Sequence, residues 1–296
     1  GRVTKFSKNK TIAVVGCVAQ AENSEMFNKN NNIDIVLGPQ SYHLLPQMIN
    51  DSEKNKEKLI NTDFIINEKF DYINEEKKSK GVSSAITIQE GCDKFCSFCI
   101  IPYRRGREKS RTIPDISNEV TRLVNRGVKE ITLLGQNVDS YGHDLFPKKD
   151  LSDLMYSISD LDNILRIRFL TSHPNDMSRK LIETIRDLPK VCKSINLPFQ
   201  AGSNRILANM RRGYTRDQYL KKIEEIKSIV PDATITTDLI VGFPGETDKD
   251  HNDTKKLLGK LNISDIHVFP YSIRPGTTAY HLKNKVHPST ITSRAK

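Results

Sequence analysis

The residues best equipped for chemistry are three thiols, Cys92, Cys96 and Cys99, in the segment Glu90-Gly91-Cys92-Asp93-Lys94-Phe95-Cys96-Ser97-Phe98-Cys99. Their C-x3-C-x2-C spacing lets one loop bring all three to one small object. Structural zinc takes four ligands, usually as paired CxxC units, but the next histidine is His143 and the next cysteine Cys192. A thiolate-bound iron–sulfur cube normally takes four cysteines. A loop that supplies three leaves one iron without a protein ligand, and an open metal position suits a catalytic centre, not a pure electron carrier. Incidental core thiols, and zinc with a distant fourth ligand, are competing readings of the same residues.

A loop of this kind needs a scaffold. From residue 83 the hydrophobic pattern predicts strands at Ala85–Gln89, Glu130–Leu134, Leu165–Leu170, Lys193–Leu197, Thr234–Val241 and Ile263–Phe269. Helical patterns lie between most of them, at Ile116–Arg126, Leu151–Leu161, Ser178–Leu188, Arg216–Ile229 and Asp248–Leu261. Asp115 and Thr215 stand where helix caps are expected. Six parallel β/α repeats follow, and either an open doubly wound sheet or an incomplete barrel satisfies them. In both, chemistry sits at the carboxyl ends of the strands. Those ends carry Glu90-Gly91-Cys92, Gly135-Gln136-Asn137, Thr171-Ser172-His173-Pro174, Pro198-Phe199-Gln200-Ala201-Gly202-Ser203, Gly242-Phe243-Pro244-Gly245-Glu246 and Pro270-Tyr271-Ser272, with Asp238 inside the fifth strand. Polar and glycine-rich loops therefore gather on one rim.

Upstream, residues 11–16 read as a buried strand, 18–29 as a helix, 33–37 as a second strand stopped by Gly38-Pro39, and Leu44 to Ile49 as a helix. Residues 51–81 are charged and poor in apolar side chains and read as a connector. The expected organisation is an incomplete small α/β domain over 1–75, a linker to about 82, and a second domain over 83–296.

Composition narrows the class. The 296 residues carry 46 Lys+Arg against 36 Asp+Glu, a formal net charge of +10. No stretch approaches the roughly 18 consecutive apolar residues of a membrane helix. The basic opening GRVTKFSKNK precedes an apolar run too short for a signal peptide. Five cysteines, three of them clustered, suit a reducing cytosol better than a disulfide scaffold. The positive balance fits a polyanion such as RNA, although charge alone supports only non-specific attraction.

The cysteine spacing at the end of the first strand of a six-fold β/α repeat resembles the radical S-adenosylmethionine enzymes. Further segments resemble the methylthiotransferases among them, and their tRNA branch most: Gly16-Cys17-Val18-Ala19-Gln20, Leu37-Gly38-Pro39-Gln40, Ile101-Pro102-Tyr103-Arg104-Arg105-Gly106, Leu133 to Val138, Arg168 to Pro174, Leu197 to Ser203, Arg211 to Thr215 and Asp238 to Thr247. The resemblance implies an α/β fold, a partial (β/α)6 radical-SAM barrel preceded by the incomplete small α/β domain. It implies a [4Fe–4S] cluster on Cys92, Cys96 and Cys99 whose free iron chelates S-adenosylmethionine. It also implies a second cluster with Cys17 as one ligand, the other two ligands lying upstream of Gly1, and an RNA-binding barrel beyond Lys296, so the chain reads as a fragment. By the same resemblance Gln136 and Asn137 meet the methionyl amine, and Thr171, Gln200 and Asp238 meet ribose and carboxylate. Arg212 pairs a carboxylate, and Gly242 and Gly245 let the backbone approach the adenine.

The implied reaction is methylthiolation of C2 of N6-dimethylallyladenosine in the tRNA anticodon loop. The implied partners are that loop and an external electron donor, for a cytoplasmic monomer that meets no membrane. Rival readings within the chemistry are threonylcarbamoyladenosine in tRNA or an aspartate of a ribosomal protein; a rival outside it is a non-catalytic iron–sulfur or zinc RNA-binding module. Each rim residue also has a plain role open to it, capping a helix or holding a loop. Cys192 reads as structural, and His173 as a loop residue without a proton-transfer role. Arg104, Arg105, Arg107, Lys109 and Arg111 read either as phosphate ligands or as a solvated charge run.

Overall fold

The computed structural model describes residues 10–63 and 81–296. They form two compact units, one of residues 10–63 with Arg104–Gly106, the other of residues 81–103 and 107–296. Of residues 51–81, expected as a connector, 51–55 instead end a helix and 59–61 pair as a strand of the first unit; residues 64–80, and with them part of the boundary expected near 75–82, lie outside the described residues.

The first unit is a three-stranded parallel sheet of β1 (Ala13–Val15), β2 (Ile35–Leu37) and β3 (Leu59–Asn61), in that order. The helix expected over 18–29 is two short ones, α1 (Cys17–Glu22) and α2 (Glu25–Lys29). Asn23 breaks it at φ 51°, a conformation asparagine tolerates better than most side chains. Helix α3 (Leu45–Asn55) follows, and Ala19, Met26, Ile33 and Val36 form the unit's own small core.

In the second unit, β4 (Ser83–Thr87) leads into a two-stranded antiparallel ribbon, β5 (Gln89–Glu90) with β6 (Lys109–Ser110). Short helix α4 (Ile101–Arg105) lies between the ribbon's arms in sequence. Four more strands follow, β7 (Glu130–Leu134), β8 (Arg166–Phe169), β9 (Ser194–Asn196) and β10 (Thr234–Val241), and then β11 (Asp265–Pro270). Strands β4-β7-β8 and β9-β10-β11 form parallel sheets in chain order, and a parallel bridge from Ile167 to Val191 connects the two. The six strands thus lie side by side in the order they occur, as right-handed β/α repeats require.

The crossover helices are α5 (Ile113–Asn125), α6 (Leu151–Ser159), α7 (Arg179–Asp187), α8 (Asn204–Asn209) with α9 (Arg216–Ile229), and α10 (Asp248–Leu258); α11 (Pro288–Arg294) comes last. Thr112, not Asp115, caps α5: its hydroxyl accepts from the Asp115 amide, and Pro114 occupies the first turn. Thr215 caps α9 in a capping box with Gln218, as its position suggests. One continuous core runs through this unit from Ile86 to Ala279, with Phe169, Phe199, Tyr219 and Phe243 among its largest buried side chains. No helix among the described residues is long and apolar enough to cross a membrane.

Candidate cluster-binding loop and adjoining cavity

The sheet strand β4 stops at Thr87, so the cysteine segment does not sit at its immediate end. Residues 91–108 form instead a loop closed at its neck by the β5–β6 ribbon, where Gln89 pairs with Ser110 and Glu90 with Lys109. Several side chains fix that neck. The Asp144 carboxylate accepts from the Ser110 amide through both oxygens (3.2 and 3.1 Å). Buried Arg111 donates to the Thr87 carbonyl (3.0 Å) and pairs with Glu119 (2.7 Å).

The tip is tied down separately. The Ser97 amide and hydroxyl donate to the carbonyls of Met210 (3.0 Å) and Asn209 (2.7 Å), and the Ala279 amide donates to the Ser97 carbonyl (2.8 Å). Lys94 donates to Asp176 (2.7 Å), whose other oxygen accepts from the Asn137 side chain (2.6 Å). The Gln136 side chain accepts from the Gly91 amide (2.7 Å). Gln136 and Asn137, expected at an amine, thus hold the cysteine loop in place; Asn137 is buried and its Oδ1 lacks a partner.

Within the loop Cys96 is buried and Cys92 and Cys99 are half-buried. Burial pushes the Cys92 thiol up to about 12; a backbone hydrogen bond from Lys94 opposes this, and Glu108, Cys96 and Cys99 add repulsion. Burial also raises Cys99, with Cys96 adding to the rise and Arg274 and Arg212 opposing it. Thiols at Cys92 and Cys99 held in the neutral form by burial and by their neighbours fit a shared electropositive group that accepts them as thiolates. No three His, Cys, Asp or Glu side chains among the described residues close around a point that one ion could occupy. A cluster binds each thiolate at its own iron and does not require the sulfurs to meet at one point.

Beside Cys99 opens a cavity of about 280 Å³, lined by Phe98, Gln200, Asp238, Ile240, Tyr271 and Arg274 among others. It is near the lower end of small-molecule sites. Strand β10 explains the placement of Asp238: Ile235, Thr237, Leu239 and Val241 are buried, so the alternate face carries Thr236, Asp238 and Ile240. Asp238 also meets His267 on β11 (3.2 Å). Gln200, at φ 72°, keeps a buried Oε1 without a partner, as does the Tyr271 hydroxyl. These are polar groups open to a ligand. Arg274 is exposed and makes no ion pair among the described residues. Sequence reasoning placed Tyr271 on the rim without giving it a role and passed over Arg274, which stands at no spacing that signals chemistry; its position after the sixth strand was the available cue.

The remaining expected residues lie elsewhere. Thr171 is exposed at the end of β8 and does not line this cavity. Arg212 is buried and donates to Cys96 Sγ (3.2 Å) and the Pro198 carbonyl (3.1 Å), so it presents no free fork to a carboxylate. Cys17, half-buried, begins α1 in the first unit, where Arg105 donates to its sulfur (3.2 Å). Gly242 is at φ 77° with Ile291 of α11 packed where a side chain would project, so its bareness admits a helix of this chain. The basic run is largely spent internally: Arg104 donates to the Gln20 carbonyl, Arg107 forks onto Asp93 (2.6 and 2.9 Å), and Lys109 lies 4.0 Å from Asp144. Burial pushes the His173 imidazole down to about 2, so it is neutral, edge-on to Tyr214. A larger cavity, about 1010 Å³, lies apart from the cysteines among Arg205, Glu246, Asp250 and Arg294, charges that already pair with each other.

Residues 86–258 match the Radical SAM superfamily. The chain is 44% identical over 293 residues to the tRNA-2-methylthio-N(6)-dimethylallyladenosine synthase of Bartonella tribocorum, covering 97% of this chain and 64% of that protein. It is 44% identical over 299 residues to the enzyme of the same name from Ehrlichia canis, covering 99% and 67%. The chain thus spans about two thirds of the length of the curated relatives it matches. Among solved structures it is similar to the radical S-adenosylmethionine methyltransferase TsrM of Kitasatospora setae with cobalamin and a [4Fe–4S] cluster bound (TM-score 0.56, 17% identity, 66% of this chain and 38% of that one). It is also similar to coproporphyrinogen III oxidase of Escherichia coli (TM-score 0.53, 16% identity, 72% and 50%). At such identities the likeness establishes the fold, the partial barrel of six parallel strands.

Proposed function

This chain belongs to the radical S-adenosylmethionine superfamily, and from that premise we propose that it is the catalytic core of a tRNA methylthiotransferase acting at C2 of N6-dimethylallyladenosine in the anticodon loop. Cys92, Cys96 and Cys99 would hold a [4Fe–4S] cluster, and the cavity beside Cys99 would take S-adenosylmethionine. When bound, these groups would supply radical chemistry for removing hydrogen from the base, with the electron drawn from an external donor. The observation that carries the reading is the juxtaposition of Cys99 with Gln200, Asp238 and Arg274 around one cavity.

The chain's own residues bind and orient. Arg274 supplies a cation for the methionyl carboxylate and Asp238 an acceptor for ribose hydroxyls. Gln200 Oε1, buried and unpartnered, would accept from the methionyl amine. Phe98, Ile240 and Phe269 give the cavity an apolar wall that excludes water. Phe95 and Tyr103, both exposed and packed edge to face at 5.9 Å, offer a surface on which an extruded base stacks. Residues 10–63 would belong to a small α/β domain, with Cys17 one ligand of a second cluster. A cytoplasmic location accords with the reducing chemistry.

Two measurements test this. Anaerobically reconstituted protein should be brown with about four irons per Cys92-96-99 loop, and should lose that loop's iron in Cys92→Ala, Cys96→Ala or Cys99→Ala. Nucleoside analysis of tRNA from a strain lacking the gene should show loss of the 2-methylthio mark on the isopentenylated adenosine. An unchanged mark would refute the substrate, and a colourless zinc protein would refute the chemistry.

A further inference from the structure

Arg212 is 6% exposed, yet no carboxylate pairs with it among the described residues. Its guanidinium has three acceptors: Cys96 Sγ from Nη1 (3.2 Å), the Pro198 carbonyl from Nη2 (3.1 Å) and the Tyr214 hydroxyl from Nε (3.0 Å). A permanent cation removed from water needs an answering negative charge. The carbonyl cannot supply one, and burial raises the Tyr214 phenol above its ordinary range. The remaining acceptor is Cys96, whose thiolate is the form that ligates a metal.

The fork is also held still. Tyr214 is buried, and its hydroxyl donates to the Phe199 carbonyl (3.0 Å). Its ring stacks on Tyr219 and meets His173 edge-on. Arg211 and Gly213 on either side take left-handed backbone conformations, at φ 56° and 70°, which turn Arg212 inward. A group so fixed is not free to follow a ligand's carboxylate.

We propose that Arg212 is a positioning residue for the cluster, donating its Nη1–H to the Cys96 thiolate and holding the reduction potential up, and that it does not clamp the carboxylate of S-adenosylmethionine. The inference rests on the reading that Cys92, Cys96 and Cys99 ligate a cluster. Hydrogen bonds to the sulfurs and nearby charge set the potentials of such clusters. Reduction adds an electron, so a donor on the sulfur and a fixed positive charge both favour the reduced form. Removing them makes reduction harder.

The test compares reconstituted wild type with Arg212→Gln, Arg212→Lys and Tyr214→Phe, by redox titration of the cluster's paramagnetic signal and by equilibrium binding of S-adenosylmethionine. Arg212→Gln should shift the reduction equilibrium about tenfold toward the oxidised form, a midpoint ~59 mV lower for one electron, with binding of S-adenosylmethionine little changed. Arg212→Lys keeps the charge but not the fork and should recover part of the shift. Tyr214→Phe leaves the Nε–H without its acceptor, so the fork should loosen and the midpoint move the same way by less. An unchanged midpoint with weakened S-adenosylmethionine binding would make Arg212 the carboxylate clamp and overturn the proposal. If Arg212→Gln takes up no iron, Tyr214→Phe decides by the same criterion. Wild type that itself takes up no cluster overturns the underlying reading, an outcome visible before any variant is compared.

Discussion

Asp238 and Arg274 illustrate how a single side chain acquires a role from its neighbours. Asp238 lies on the cavity face of β10 because side chains alternate along a strand, and its partner His267 leaves carboxylate capacity to spare. Asp238→Asn keeps shape and removes charge, and Arg274→Gln removes the only cation lining that cavity among the described residues. Each is expected to weaken S-adenosylmethionine binding about tenfold, equal to ~1.4 kcal/mol, while leaving iron content at the wild-type value. Loss of iron in either variant would place the residue in the cluster's support instead. Gln136 should behave in the opposite way, since its carbonyl oxygen holds the Gly91 amide at the root of the cysteine loop. The cysteines were legible from spacing alone because three thiols in one loop have few innocent explanations. Gln136, Asn137 and Arg212 were legible as polar residues near the chemistry but not in their partners. A strand-end amide serves a ligand or a loop equally well, and only the fold decides which.

At the scale of elements, the alternation of apolar runs with helical periods gave the six parallel strands of the second unit within a few residues and the five long crossover helices as well. What it missed was short or set by distant contacts: the β5–β6 ribbon, α4, α8, β3 and α11. The ribbon spans two residues per strand and exists because Asp144 and Arg111 hold it, a cause no local window contains. Helix α10 shows how strongly one cap can anchor an element. Asp250, at its third position, accepts from the Thr247 amide (2.9 Å) and hydroxyl (2.6 Å) and from Ser203 (2.6 Å), and pairs with Arg205. Burial works to raise this carboxyl, but those hydrogen bonds outweigh it and hold it well below the usual carboxylate range. A depressed acid stabilises the fold fully above its unfolded value, about 3.9, and loses that contribution as the pH falls toward the folded value. Asp250→Asn is therefore expected to cost about 1–3 kcal/mol near neutrality, with the gap to wild type closing as the pH drops below about 4. Thermal melts from pH 3 to 7 check this, and a gap that stays constant across that range would remove the carboxylate from the account.

The whole molecule carries ten more positive than negative charges, and that surplus bears on the proposed RNA partner. The run that follows the cysteines contributes less than its composition suggests. Arg111 is buried with Glu119, Arg107 is forked onto Asp93, and Lys109 faces Asp144. Binding to an anticodon stem–loop should consequently depend on cations spread over the surface and not on this one stretch. Each phosphate neutralised releases condensed counterions, so the logarithm of the binding constant should fall linearly with the logarithm of salt concentration, by about 0.7 per contact on a single strand. The expected slope is steeper than about −1.4, the value for two contacts. Arg107→Ala frees Asp93 as it removes a guanidinium already paired, so it should leave the slope within about one contact of wild type. Filter binding or fluorescence anisotropy over a salt series on the full-length protein measures both quantities. A flat response would mean that the surplus charge does not meet phosphate. A slope that collapses in Arg107→Ala would return the phosphate site to the cysteine loop, with the Asp93 pair giving way to RNA.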